Sequence, residues 1–183
     1  ILSARNNQFK FDFPRNFIPE PIAKKYKPFL TRIPGGLIKE PIDYWNYGIQ
    51  SLNLPGPSFD AVTQVDYPGN QRAFRASLPK QQLFDKTMTV TMQAFDGYVN
   101  YWMAVEMFDY YYKLSGKHPY LPEGVGVQML DADGTVFVTV QLKDMFISEV
   151  GALDLNFSSN TIEFQTFDIT FGYNILDVVV NVV

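Results

Sequence analysis

A mainly β chain with one helix is what this sequence predicts, and three features predict it. Residues Lys86–Phe95 alternate, with Met88, Val90, Met92 and Ala94 on one side and Thr87, Thr89, Thr91 and Gln93 on the other. The last third repeats the pattern in Gly124–Leu142 and again toward Tyr173, so strands with one apolar and one polar face dominate it. Between these stretches the period becomes helical, with Tyr98, Tyr101, Trp102, Val105, Phe108 and Tyr112 on one stripe. A sheet with one greasy face and one neutral-to-acidic polar face suits a wall between a core and a water-filled bore.

Bulk properties narrow the class. At 183 residues the chain is long enough to bury a real core as one domain spanning 1–183. The hydrophobic share of 46% and aromatic share of 16% argue against disorder. There is no cysteine, hence no disulfide and no thiolate chemistry. No apolar run approaches the roughly 20 residues needed to cross a bilayer, and no signal-peptide pattern opens the sequence at Ile1. Charge is uneven: residues 1–40 carry eight Lys/Arg against three Asp/Glu, the remainder seven against sixteen. A basic end on an acidic body fits nucleic acid or a membrane surface. It fits better a basic segment lying on an acidic neighbouring copy, because the cations are scattered among prolines and line no recognisable nucleic-acid module.

In chain order, Gln8–Phe13 alternates Phe9, Phe11 and Phe13 against Lys10 and Asp12, as a first strand. The stretch at about 14–42 holds Pro14, Pro19, Pro21, Pro28, Pro34 and Pro41 and reads as an extended arm or insertion with apolar anchors. Tyr44–Leu54 is the next strand, stopped by Pro55, Gly56 and Pro57, and Phe59–Asp66 with Ala73–Leu78 flank a turn at Tyr67–Asn70. The helix follows Lys86–Phe95, with Asp96 as a candidate N-cap and Gly116 at its close. Its aromatic stripe is assigned to the core, leaving Met107 and Tyr110 opposite for a partner. Asp131–Gly134 looks like the start of a calcium loop, but Leu142 stands where the bidentate Glu belongs, so a hairpin turn is expected. Beyond it, Val136, Val138, Val140 and Leu142 face in and Thr135, Phe137, Thr139 and Gln141 face out. Val150–Leu155 and Thr161–Tyr173 supply the closing strands.

Catalytic chemistry finds little purchase. The single histidine, His118, precedes Pro119 in a loop, with no nucleophile or acid at motif spacing, and no phosphate-cradling glycine motif is present. Acid pairs such as Asp131 and Asp133 would serve a glycosidase only within a sugar cleft that the sequence does not display. No enzyme, cofactor or metal is expected.

Several segments resemble the tail-tube proteins of contractile-tailed bacteriophages. The matching pieces are LNLPG from Leu52 to Gly56, FDKTMTV from Phe84 to Val90 leading into an aromatic-bearing helix, VGALDL from Val150 to Leu155, and IEFQTFDIT from Ile162 to Thr170. The closing pair is the most specific. The resemblance implies an antiparallel β-sandwich or half-barrel with one flanking α-helix, closing in six copies into a hexameric ring with an inner β-barrel. Such rings stack into the hollow tail tube of a virion, assembled in the host cytoplasm, that delivers the genome. Its partners are then copies of itself and the neighbouring tail sheath, baseplate or neck proteins, with DNA passing through unbound. The candidate lumen residues are Thr87, Thr89, Thr91, Gln93, Thr139, Gln141, Thr166, Asp168 and Thr170. Candidate subunit contacts are Phe17, Ile22, Tyr26 and Phe29 in the arm, Met107 and Tyr110 on the helix, and Val178, Val180 and Val182 in the apolar tail 175–183. The proline-rich arm departs from the plain tube pattern, which keeps a tube-like baseplate hub, neck or tube-terminator ring as the alternative. A monomeric β-sandwich carbohydrate-binding module is the alternative from another class.

Overall fold

The computed structural model describes residues 8–30, 38, 40–54, 56, 62–66, 69–74, 86–114, 120–153, 155 and 164–181. Within them the chain runs β1 (Phe9–Phe11), α1 (Glu20–Leu30), α2 (Pro41–Tyr47), β2 (Ile49–Asn53), β3 (Val62–Asp66), β4 (Asn70–Phe74) and β5 (Thr87–Gln93). It continues through α3 (Val99–Leu114), β6 (Val125–Leu130), β7 (Val136–Lys143), β8 (Phe146–Val150), β9 (Thr166–Gly172) and β10 (Ile175–Val180). Two antiparallel sheets result, ordered β1-β6-β7-β10 and β2-β5-β9-β8, with β3 and β4 paired as a separate hairpin.

Alternation builds the core. Met88, Val90 and Met92 of β5 and Phe167, Ile169 and Phe171 of β9 form the apolar face of one sheet. They share a buried cluster with Val125, Val127, Val140, Leu142 and Leu176 of the other. Rings lock the two together: Phe13 stacks on Phe17 at 4.2 Å between centroids and lies 5.4 Å from Phe171. Gly124 is needed where β6 begins, because a Cβ there would stand 2.4 Å from the Leu142 carbonyl oxygen. The strand phases read from sequence for β5, β7 and β9 are those observed, and Asp131–Gly134 is a hairpin turn joining β6 to β7.

Other expectations are overturned. The arm expected at about 14–42 is not extended throughout, and the helix is not single, because α1 occupies Glu20–Leu30 and α2 begins at Pro41. Proline is tolerated where a helix begins, since the first amide groups have no intrahelical acceptor, and Pro21 and Pro41 sit in first turns. Glu20 pairs with Lys24 one turn on at 2.6 Å, while the Glu40 N–H donates to the Asp43 carboxylate at 3.2 Å. Only Pro28 lies deeper, in the second half of α1. The expected strand Tyr44–Leu54 splits at Gly48 into α2 and β2, and the expected strand from Val150 ends there, as the last residue of β8.

The stripe on α3 is also reversed. Trp102 is 53% and Tyr112 71% exposed, whereas Val99, Asn100, Met103, Ala104 and Met107 are buried. Both sets recur at helical spacing, and Asn100 made the buried one look polar. The Asn100 amide is satisfied internally: Nδ2 donates to the Gln93 carbonyl and Oδ1 accepts the Phe95 N–H at 3.1 Å. It therefore ties the start of α3 to the end of β5, a role expected of Asp96, which instead opens a 3-10 turn. Gly116, His118 and Ile162 lie outside the described residues.

Candidate functional site

The β2-β5-β9-β8 sheet turns its apolar face to the core and its polar face outward, and strand register writes that face in rows. Asn53, Thr89, Thr170 and Glu149 are successive cross-strand partners across all four strands. Ser51, Thr91 and Asp168 form the next row, and Gln93 faces Thr166 beyond it. Thr91 Oγ1 donates to Asp168 Oδ1 at 2.7 Å, and Gln50 Nε2 donates to Gln93 Oε1 at 2.9 Å. At the opposite end the Phe146 ring lies over Gly172, where a Cβ would meet it at 2.2 Å. These four strands contain no Lys or Arg, so the charges on this face are the carboxylates of Asp168 and Glu149.

The candidates Thr87, Thr89, Thr91, Gln93, Thr166, Asp168 and Thr170 therefore come together on one surface. Thr139 and Gln141 do not join them. They lie on β7 of the other sheet, where Lys10, Gln128, Thr139 and Val179 make a row and Lys143 pairs with Asp177 at 3.1 Å. Sequence alternation identifies the face of each strand but not the sheet that holds it. Ser51, Asn53 and Glu149 are members that the sequence reading missed, because the strands carrying them were misplaced. Ser51 and Asn53 alternate with Leu52, a signal that correct boundaries would have exposed, whereas Glu149 reaches this face through a β-bulge after Ile147 that breaks the alternation.

The contact candidates divide similarly. Phe17, Ile22 and Met107 are buried in this chain's own core, so their side chains are not available to a neighbour. Tyr26, Phe29 and Tyr110 are half-buried, and the Tyr26 hydroxyl donates to Glu106 Oε1 at 2.9 Å. Val178 and Val180 are exposed on the edge strand β10, and Val182 lies outside the described residues.

Among the described residues, both edges of the polar sheet are open. Strands β2 and β8 each have one strand neighbour there and contain no Lys or Pro, the residues that commonly guard an edge. Because every pairing in the sheet is antiparallel, β2 and β8 run in opposite directions. Among the described residues no group of His, Cys, Asp or Glu could hold a metal ion, and no helix is long and apolar enough to cross a membrane.

No family model matches the chain, and no curated protein matches its sequence. Solved structures do show likeness. One is the sheath-tube complex of an extracellular contractile injection system, at 15% identity and a TM-score of 0.47 over 73% of this chain and 81% of that one. Another is the tube-terminating cap of the anti-feeding prophage, at 14% identity and 0.46 over 73% and 80%. An Hcp protein is similar over 94% and 97% of the two chains, at 14% identity and 0.35.

Proposed function

We propose that this chain is a structural subunit of a hollow tube, with the polar face of the β2-β5-β9-β8 sheet lining the bore. The observation that carries the reading is the sheet itself: among the described residues its strands are polar and cation-free on the outer face, apolar within, and open at two edges of opposite direction. Rotating one copy onto the next sets β8 beside β2 antiparallel, so the alternation continues through each seam and ring closure removes both edges. Six copies, the number the resemblance implies, bring roughly two dozen strands, wide enough for an aqueous channel. A wall of Thr, Asn, Gln, Asp168 and Glu149 offers phosphates no ion-pair partner, so a polyanion slides through it without being gripped. The same geometry serves a tube or a tube-like terminator or baseplate ring, built in a virion tail or a related injection machine. The role is architectural, not catalytic.

Putting lysine at Thr89, Asp168 and Thr170 together tests the bore. Thr89 and Thr170 are cross-strand neighbours, and Asp168 lies in the adjoining row. Assembly should persist while passage of DNA is impaired, measured as genome delivery by particles carrying the variant. Undiminished delivery by fully assembled particles would remove this face from the bore.

A further inference from the structure

Resting on the tube reading, we propose that copies stack head to tail by seating the Asp131–Gly134 turn of one copy in a tyrosine-lined cleft of the next. The cleft, about 700 Å³, is walled by Tyr110, Tyr111, Tyr120, Pro19 and Pro122, with Arg15 at its side. Among the described residues the Arg15 side chain has neither ion pair nor hydrogen bond, and Arg15 also lines an adjoining hollow that Lys24, Lys27 and Glu40 share. Glu20, at the same rim, is already bound to Lys24. The cleft thus presents apolar rings around an uncommitted guanidinium, suited to a small anionic knob.

The chain supplies such a knob. Asp131 Oδ1 accepts the N–H groups of Asp133 and Thr135, each at 2.9 Å, and the Asp131 N–H donates to the Thr135 carbonyl at 2.9 Å. Gly134, at φ +83°, completes the turn. The tip is therefore rigid, wholly exposed, and leaves the Asp133 carboxylate without a partner.

Position makes the two complementary. Asn16 bonds Glu123 at 2.8 Å, which sets the cleft beside the start of β6, and the turn begins where β6 ends. The six residues of β6, at about 3.3 Å each, separate them by roughly 20 Å. A knob at one end and a socket at the other cannot satisfy one another within a copy. They make a heterologous contact that repeats as an open stack. A second copy is the occupant because the sequence carries both halves of the charge match: an excess of cations in residues 1–40 and of acids in the remainder.

Charge reversal tests the pairing. R15E and D133R should each abolish stacking while leaving single rings, seen by sedimentation velocity and electron microscopy, and R15E/D133R should restore it. Single variants that stack like the parent, or a double variant as dispersed as the singles, would overturn the contact. Carbodiimide coupling of R15K assemblies supplies a second reading: a cross-link from position 15 to Asp131 or Asp133, found by peptide mass spectrometry, is intermolecular at this separation. Cross-linked filaments without six-fold rings would keep the contact and sink the tube reading. Stacked rings lacking the cross-link would do the reverse. A protein that never self-associates and binds an oligosaccharide in the tyrosine cleft would sink both.

Discussion

Asn100 and Tyr44 show how single side chains hold this fold where patterning is silent. Asn100 is a buried polar residue in an otherwise apolar face, and only its bonds to Gln93 and Phe95 explain the site. Met88, Val90 and Met92 could be assigned to the core from their spacing alone. Asn100 could not, since hydrogen-bond satisfaction is a property of the folded neighbourhood. Tyr44, 4% exposed, has its hydroxyl pKa pushed up to about 12, first by burial and then by the charge of Asp96. Its folded-state value lies above the ordinary value near 10, so the stabilisation is complete below pH 10 and is lost as pH rises toward 12. Tyr111 is pushed up to about 12 as well, by burial and then by Tyr110. Urea midpoints measured against pH should fall over this window, and Y44F should make the fall shallower without abolishing it.

At the scale of elements, α3 separates what periodicity reveals from what it leaves open. The helix was legible because apolar residues recur at its spacing, yet two such stripes exist and the larger rings lie outside. Met103 is fully buried and Trp102 is half-exposed. M103A should therefore cost about 2–4 kcal/mol by leaving a cavity, and W102A under about 1 kcal/mol, both by chemical denaturation. Equal losses would restore the aromatic stripe to the core. In the arm, the prolines concealed α1, although Ile22, Tyr26, Phe29 and Leu30 already had helical spacing. Proline weighs against a helix interior much more than against its first turn. The polar face was legible strand by strand on β5 and β9. Its separation from Thr139 and Gln141 was not, because sheet order depends on long-range pairing that no local window contains.

Across the whole molecule, one sheet closes the core with its apolar face, and in the proposed ring its polar face would line the bore and its edges would pair with the next copies. The other sheet carries lysines on its outward face, the knob closes its β6–β7 hairpin, and the cleft is walled by α1, α3 and the segments that precede α1 and β6. In the proposed assembly this division would give the ring an inside and the stack a direction. The most direct test is a cryo-electron microscopy reconstruction of the assembled protein in which strands are traced. The predicted map is a six-fold ring with β2 of each copy paired antiparallel to β8 of its neighbour, and Thr89, Thr91 and Asp168 facing the bore. A persistent monomer, or a ring whose bore is lined by β1-β6-β7-β10, would contradict the account.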